Sequence, residues 1–287
     1  MTSSSWEMLG KVSPRQLALA RLLWHHAAQV VAAAGRSLAP PRPDDGHTSL
    51  EWTAPHSLTG QEVPGPRPWR ASLRLDEASL AVRAEGAEVG RCALQGRTQK
   101  AAFEWLVARA RDLGAPVERL ALAPPYALPE HPFGAGAVFE APGDGSLVEV
   151  ARWFGNADTL LREIADAWPG AAPVRVWPHH FDIGSVLPLA GAHGEEAPSI
   201  GIGLSPGDEG IAEPYFYVTP WPAPGAAEPL PELEKGGRWH REGWTGAGLE
   251  AGDVAAAGGG APQEAAARAF LEGAVDVLRA RHARRGA

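Results

Sequence analysis

The sequence predicts a mixed α+β protein made of two similarly organised halves. Segments with helical periodicity alternate with short strands, and the order of helix, extended segment, strands and helix occurs twice. Glycine and proline together supply about a fifth of the 287 residues, which indicates many turns but not disorder. We predict halves at residues 13–128 and 146–287 with a connection at 129–145, packed either separately or as a single domain.

The first half begins with a helix. Ser13 and Pro14 form a favourable helix start, and apolar residues spaced by sevens continue from Arg15 to Leu38. Short alternating segments with tight connections then predict an antiparallel meander. Its strands are expected at 50–52, 70–75, 79–84 and 88–94.

A second helix follows the meander. Thr98 is a suitable cap, Phe103 and Leu106 belong to the expected buried side, and Gly114 ends the helix. Residues 117–122 are predicted to form a last strand before the connection.

The second half repeats this pattern. Pro169 and Gly170 end its first helix, Pro262 opens its last one, and residues 221–262 are rich in loops. The predicted elements are helices at 147–168 and 262–282, an extended segment at 174–181, and strands at 199–204 and 214–219.

Local matches between the halves indicate an internal duplication. Leu50–Trp52 followed by His56 resembles Val174–Trp177 followed by His180. The alternative is that helices and strands alternate in this way by chance. A duplication predicts pseudo-twofold symmetry, with equivalent surfaces meeting in a cleft of the kind that ligands prefer.

Charge and composition exclude several kinds of partner. The net charge of −8 repels phosphate backbones, so nucleic acid is not an expected partner. The single cysteine, Cys92, excludes an internal disulfide. The longest apolar stretch, Leu22–Ala34, is too short and too polar to span a membrane, and Met1–Lys11 lacks the pattern of a signal peptide. We therefore expect a cytoplasmic protein without a membrane partner.

The densest polar segment of the chain is Trp177–Asp182, with the sequence WPHHFD. If this segment is a strand, alternation places His180 and Asp182 on one face and Trp177 and His179 on the other. A histidine and a carboxylate on one face can act as an acid–base pair. His180 and Asp182 are therefore the predicted catalytic residues.

The same two side chains are also predicted ligands of a divalent metal ion. A metal site needs three or four ligands, and Asp208 and Glu213 lie around the next turn of the chain. The predicted set is His180, Asp182, Asp208 and Glu213. The alternative is structural, with a histidine hydrogen-bonded in the core and an aspartate capping a turn.

The strand at 199–204 carries isoleucine and leucine on one face and two glycines on the other. A bare backbone face indicates that something large lies against it, either a ligand or a tryptophan such as Trp177. Tyr215 and Tyr217 share one face of the following strand and are expected to line the same hollow. The predicted ligand-binding residues are His25, Trp177, His179, Tyr215 and Tyr217.

The first helix carries a polar stripe at intervals of four, formed by Arg21, His25 and Gln29. A solvated stripe is the default interpretation. If this helix face covers a sheet instead, the stripe points into the same cleft as His180.

The segment Gly203–Gly207 matches the G-x-S-x-G pattern of serine hydrolases. That motif needs a backbone N–H on the residue after the serine, and Pro206 has none. A strand, not a helix, is predicted to follow. We therefore interpret the segment as a hairpin turn.

These blocks resemble the signature blocks of a bacterial family of uncharacterised proteins. The resemblance rests on Trp177–Asp182 (WPHHFD), Ser199–Asp208 (SIGIGLSPGD) and Glu213–Pro222 (EPYFYVTPWP), and His25–Gln29 resembles part of the family's N-terminal block. It covers most of the chain and implies no known activity. It singles out five positions for testing: His179, His180, Asp182, Asp208 and Glu213.

Two hypotheses for function follow from the sequence. The first is an enzyme, perhaps a hydrolase, that binds a small molecule or a divalent metal ion near WPHHFD. The second is a non-catalytic binding or protein-interaction module whose tryptophan-rich surfaces hold a partner or a second copy of the chain, giving a homodimer.

Overall fold

A computed structural model of the chain describes residues 6–189, 197–225, 229–233 and 236–285. These residues contain both α-helices and antiparallel β-strands, so the predicted α+β class is confirmed. The helices are α1 (Pro14–Leu38), α2 (Gln99–Asp112), α3 (Ser146–Asp166), α4 (Ala251–Ala256) and α5 (Gly260–Arg285). Within the described residues, none of these helices has the length and apolar character required to cross a bilayer.

The chain divides into two compact units. The N-terminal unit contains Gln16–Ala151 and Arg175–Phe181, and the C-terminal unit contains Met1–Arg15, Arg152–Val174 and Asp182–Ala287. These bounds differ from the predicted halves because residues 129–145 and the short segment Arg175–Phe181 both pack within the N-terminal unit.

The N-terminal unit holds an antiparallel meander, as the alternating segments predicted. Its strands are β1 (Leu50–Thr53), β2 (Ser57–Gly60), β3 (Trp69–Arg74), β4 (Ser79–Ala84), β5 (Ala87–Ala93) and β6 (Arg175–Trp177). The order of strands is β6-β1-β2-β3-β4-β5. Each neighbouring pair runs antiparallel.

Local signals set the ends of α2 as predicted. The Thr98 side chain accepts a hydrogen bond from the Ala101 amide at 3.1 Å, which satisfies one of the amides left over in the first turn. Gly114 has a φ of +81°, the left-handed conformation that follows many helices. Leu106 is buried on the inner side of the helix, whereas Phe103 is only partly covered.

The C-terminal unit contains a second antiparallel group of strands. These are β7 (Asp182–Pro188), β8 (Ser199–Ser205), β9 (Tyr215–Trp221), β10 (Arg238–His240) and β11 (Gly246–Glu250). Their order is β10-β11-β9-β8-β7. Ile200, Ile202 and Leu204 of β8 are fully buried on one face, as the alternation predicted.

Three predicted elements differ in the structure. Residues 117–122 do not form a strand. Val117–Arg119 form a 3-10 turn in which no residue is buried, so the alternating apolar residues do not contribute to a core. Residues 174–181 do not form one extended segment, because β6 ends at Trp177. The loop-rich region at 221–262 contains β10, β11 and α4 in its described part, while residues 226–228 and 234–235 lie outside the described residues.

The internal duplication stays a prediction. The first predicted half contains a helix, five strands and a helix, whereas the described part of the second contains a helix, six strands and two helices. The element order is therefore similar in outline and unequal in detail.

Candidate functional site

The WPHHFD segment is a turn and not a continuous strand. The Phe181 amide donates to the Trp177 carbonyl at 2.7 Å, and Phe181 has a φ of +57°, a left-handed conformation. Strand alternation therefore does not continue from β6 into β7. The prediction that His180 and Asp182 share one strand face is wrong, and the two residues belong to different compact units.

His179 and His180 lie together on the surface of the N-terminal unit. Their ring centroids are 4.3 Å apart, and both side chains are exposed. Trp177 contacts His179 edge-on at 6.0 Å, and Tyr126 contacts it edge-on at 5.9 Å. The structure thus brings together three of the predicted site residues with Tyr126, which the sequence interpretation did not include.

Two of the three residues of the polar stripe on α1, His25 and Gln29, are buried and not solvated, whereas Arg21 is half-buried. His25 Nε2 lies 2.8 Å from the Pro178 carbonyl, and Gln29 Nε2 donates to the same oxygen at 2.7 Å. The Gln29 amide oxygen accepts from the Tyr126 hydroxyl at 3.0 Å. These bonds hold the WPHH turn against α1, so His25 has a structural role here.

Burial also keeps His25 neutral. The ring is 4% exposed and stacks on Phe181 with centroids 5.2 Å apart. Desolvation lowers the pKa of His25 to about 4, although the bond to the Pro178 carbonyl opposes this shift. At neutral pH the ring is an uncharged hydrogen-bond donor to a carbonyl.

In the C-terminal unit, Asp182 accepts a hydrogen bond from a half-buried tyrosine. The Tyr217 hydroxyl donates to Asp182 Oδ2 at 2.6 Å. Burial, and then the neighbouring Asp182 carboxylate, raise the pKa of Tyr217 well above its usual range. The pair is therefore a phenol hydrogen-bonded to a carboxylate, with the proton on the tyrosine.

Tyr217 is also the large group that covers the glycine face of β8. A methyl group at Gly203 would overlap the Tyr217 ring and would lie 2.5 Å from the Ile183 carbonyl. A methyl group at Gly184 would lie 2.6 Å from the Tyr217 hydroxyl, and one at Gly201 would lie 2.5 Å from the Thr219 hydroxyl. Internal packing by Tyr217 and Thr219 therefore explains the bare backbone.

Tyr215 lies on the same face as Tyr217, as predicted, with ring centroids 6.4 Å apart. Its hydroxyl donates to Asp208 Oδ2 at 2.5 Å. The other oxygen of Asp208 accepts the amides of Gly210 and Ile211, so this carboxylate caps the turn between β8 and β9. The G-x-S-x-G segment spans the end of β8 and the start of this connection, in agreement with the interpretation as a hairpin turn.

Glu213 is engaged elsewhere in the C-terminal unit. Its carboxylate accepts the Gly252 amide at 2.8 Å, in the first turn of α4. Among the described residues, no three His, Cys, Asp or Glu side chains come together in a group that could hold a metal ion. The predicted set of His180, Asp182, Asp208 and Glu213 is therefore not assembled as one metal centre in this part of the chain.

The N-terminal unit carries an open groove that the sequence interpretation missed. We call it the imidazole groove; its volume is about 660 Å³. It is lined by His26, Leu128, Pro129, Glu130, His131, Pro132, Gly134 and Ala135. The ring centroids of its two histidines lie 5.8 Å apart.

Backbone partners fix the proton on each of these rings. His26 Nε2 lies 2.8 Å from the Pro129 carbonyl, which can only accept, so the proton of the neutral ring is on Nε2. His131 Nδ1 accepts the Phe133 amide at 3.2 Å, so the proton of the neutral ring is on Nε2. In the neutral rings, the second nitrogen is therefore an acceptor in His26 and a donor in His131.

Two sequence signals pointed toward this groove. One is the adjacent pair His25 and His26, whose rings lie 6.3 Å apart and reach different surroundings. The other is His131 within a proline-rich segment. Proline-rich segments between predicted elements usually indicate connections, and nothing in their local pattern shows which helix they cover.

Comparisons of the chain with protein-family models, curated proteins and solved structures gave no match. The resemblance to a family of uncharacterised bacterial proteins therefore stays a prediction, and the candidate site rests on its own geometry.

Proposed function

We propose that this protein binds a small, uncharged organic molecule in the imidazole groove. The observation that carries the proposal is the pair of imidazoles, His26 and His131, which combine an acceptor and a donor in one open groove. A few well-placed polar groups in a largely apolar recess are the usual features of a ligand site.

The remaining walls of the groove suit the body of such a ligand. Leu128, Pro129, Pro132 and Ala135 offer aliphatic surface. Burying apolar ligand area against them contributes roughly 25 cal/mol per Å². The volume of about 660 Å³ is within the size range of ordinary small-molecule sites.

Binding without acid–base chemistry at WPHHFD is the function that these contacts favour. Asp182 accepts a hydrogen bond from the Tyr217 hydroxyl at 2.6 Å. His25 is neutral and is hydrogen-bonded to the Pro178 carbonyl. A hydrolase using His180 and Asp182, a divalent metal ion and a homodimer remain predictions from the sequence, and no contact between described residues favours them over the groove.

Ligand-observed NMR with a library of small fragments tests the proposal. Ala135 is exposed and lines the groove, so Ala135→Trp fills the groove without entering the core. Ala87→Trp, at an exposed position on β5 of the same unit, is the matched control. Fragments should bind the wild type and Ala87→Trp and lose binding to Ala135→Trp. Equal binding to all three proteins would place the ligand site elsewhere.

A further inference from the structure

We infer that the C-terminal unit carries a peptide-binding cleft that can exchange its own N-terminal arm for the arm of a second copy of the chain. The N-terminal arm is Trp6–Leu9, which forms neither helix nor strand and belongs to the C-terminal unit. The arm cleft is the site that it occupies, formed by Arg152 and Asn156 of α3, Phe216 of β9 and Gln263 of α5. The inference goes beyond the imidazole groove, which lies in the N-terminal unit.

Two side-chain amides of the cleft pair with the main chain of the arm. Asn156 accepts the Glu7 amide with Oδ1 and donates from Nδ2 to the Glu7 carbonyl, both at 2.8 Å. Gln263 pairs with the amide and the carbonyl of Leu9 in the same way, both at 3.0 Å. The cleft therefore satisfies main-chain groups of alternate arm residues, as a receptor does for a bound peptide.

Two large side chains of the arm add selectivity to this main-chain pairing. The Trp6 ring stacks on the buried ring of Phe216 with centroids 6.5 Å apart, and Trp6 Nε1–H donates to Gln263 Oε1 at 3.3 Å. Leu9 is 3% exposed, whereas Met8 is 46% exposed. A recess of only about 10 Å³ remains beside Trp6, so the arm and the cleft fit closely. The cleft therefore prefers tryptophan followed three residues later by leucine.

The charged pair at the cleft adds little to this preference. Arg152 Nε lies 3.3 Å from a carboxylate oxygen of Glu7, and both side chains are partly exposed. Solvent screens such a pair, so its contribution to affinity is small. Recognition of the arm rests on the main-chain bonds and the two large side chains.

The bonds of the arm suit exchange between two copies of the chain. Each hydrogen bond listed above joins the arm to a residue at least 145 positions away in the sequence, so none requires the arm and the cleft to be in one molecule. The arm leaves the cleft at Gly10, with a φ of +89°, and residues 10–13 form neither helix nor strand before α1. Exchange of an identical element through such a connection is a low-cost route to a dimer.

Two full-length variants test the exchange. The arm variant, Trp6→Ala with Leu9→Ala, keeps the cleft and loses the two large side chains of the arm. The cleft variant, Asn156→Leu with Gln263→Leu, keeps the arm and loses the two amides. In sedimentation velocity, a mixture of the two should contain a heterodimer in which the intact arm occupies the intact cleft. A mixture of the arm variant with a chain that carries all four substitutions is the control and should contain none.

A fluorescent peptide of residues 5–12, SWEMLGKV, measures the cleft by anisotropy. It should bind the arm variant at least about tenfold more tightly than the wild type, in which the tethered arm competes at a high effective concentration. A peptide with Met8→Ala should bind as the native peptide does, and one with Leu9→Ala at least about tenfold more weakly, because only Leu9 is buried.

Each outcome decides the question. A heterodimer that excess peptide dissociates supports the inference. Absence of the heterodimer overturns it, even if the peptide binds the arm variant, because the cleft then serves only the arm of its own molecule. If the arm variant is unfolded by circular dichroism, excess peptide should restore its thermal transition, and failure to restore it also overturns the inference. If the cleft variant is unfolded, Gln263→Leu alone replaces it in the same mixture.

Discussion

His25 and His26 are neighbours in α1, yet their rings meet different surroundings. His25 is enclosed between Phe181 and the Pro178 carbonyl, whereas His26 lines the imidazole groove opposite His131. The residue types alone do not separate the structural histidine from the binding one. The two histidines differ in the carbonyl that Nε2 contacts, Pro178 for His25 and Pro129 for His26. They also differ in the neighbouring ring, which is Phe181 for His25 and His131 for His26.

The neutral state of His25 predicts a loss of stability in mild acid. Its pKa is about 4 in the folded protein and 6.5 in an unfolded chain, so the unfolded state binds more protons between these values. The free energy of unfolding should therefore fall by up to about 3 kcal/mol as the pH drops from 6.5 to 4. Urea unfolding across this range measures the effect.

The His25→Gln variant is the control for this prediction. Its side-chain amide can still donate to the Pro178 carbonyl and does not titrate. The carboxylates titrate equally in both proteins, so the difference between the two pH profiles isolates His25. Profiles that run parallel from pH 6.5 to 4 would show that His25 is not held neutral.

The packing of β8 requires a residue without a side chain at position 203, where the sequence has Gly203. Gly203→Ala should lower the free energy of unfolding by about 2–3 kcal/mol, because the new methyl group overlaps Tyr217 and backbone that cannot move aside. Gly259→Ala, with open space around the added methyl group, should stay within about 0.5 kcal/mol of the wild type. Thermal or urea unfolding of both variants makes the comparison, and equal stabilities would contradict the packing of Tyr217 on β8.

At the scale of elements, β8 and β9 followed their sequence pattern closely. Alternation predicted that Ile200, Ile202 and Leu204 are buried and that Tyr215 and Tyr217 share the other face. It did not predict that Tyr217 itself fills the space over the glycines. That space depends on which strand lies beside which, and a single strand does not contain this information.

The turn after β6 shows where alternation fails. Residues 178–181 look extended by composition, but Phe181 takes a φ of +57° and is buried against His25. Left-handed backbone is unfavourable for phenylalanine, so contacts from α1 must compensate for it. A local pattern cannot reveal a conformation that a distant helix stabilises.

The helix α2 provides a prediction at this scale. Thr98→Ala removes the acceptor for the Ala101 amide and should cost about 1 kcal/mol of unfolding free energy, whereas Thr98→Ser keeps the acceptor and should cost much less. Urea unfolding measures both variants. A serine variant as unstable as the alanine variant would mean that the cap is not the source of the loss.

For the whole molecule, the sequence predicted the α+β class, four of the helices and most strands, because caps, prolines and periodicity are local. It also predicted a functional site around WPHHFD, which stays a prediction. The carboxylates Asp182, Asp208 and Glu213 hold a tyrosine, a turn and a helix start, while the imidazole groove arises where a proline-rich segment covers α1. Such long-range contacts leave no periodic signal.

The proposed binding function depends on His26 offering a hydrogen-bond acceptor and His131 a hydrogen-bond donor to a ligand. Two-bond ¹H–¹⁵N correlation spectra of the histidine-labelled protein at pH 7.5 measure the protonation of each ring nitrogen. In the neutral form of each ring the proton should be on Nε2, and an added fragment that binds the wild type should shift the ring nitrogens of His26 and His131 more than any nitrogen of His25. A proton on Nδ1 of His26, or shifts confined to other histidines, would contradict the account.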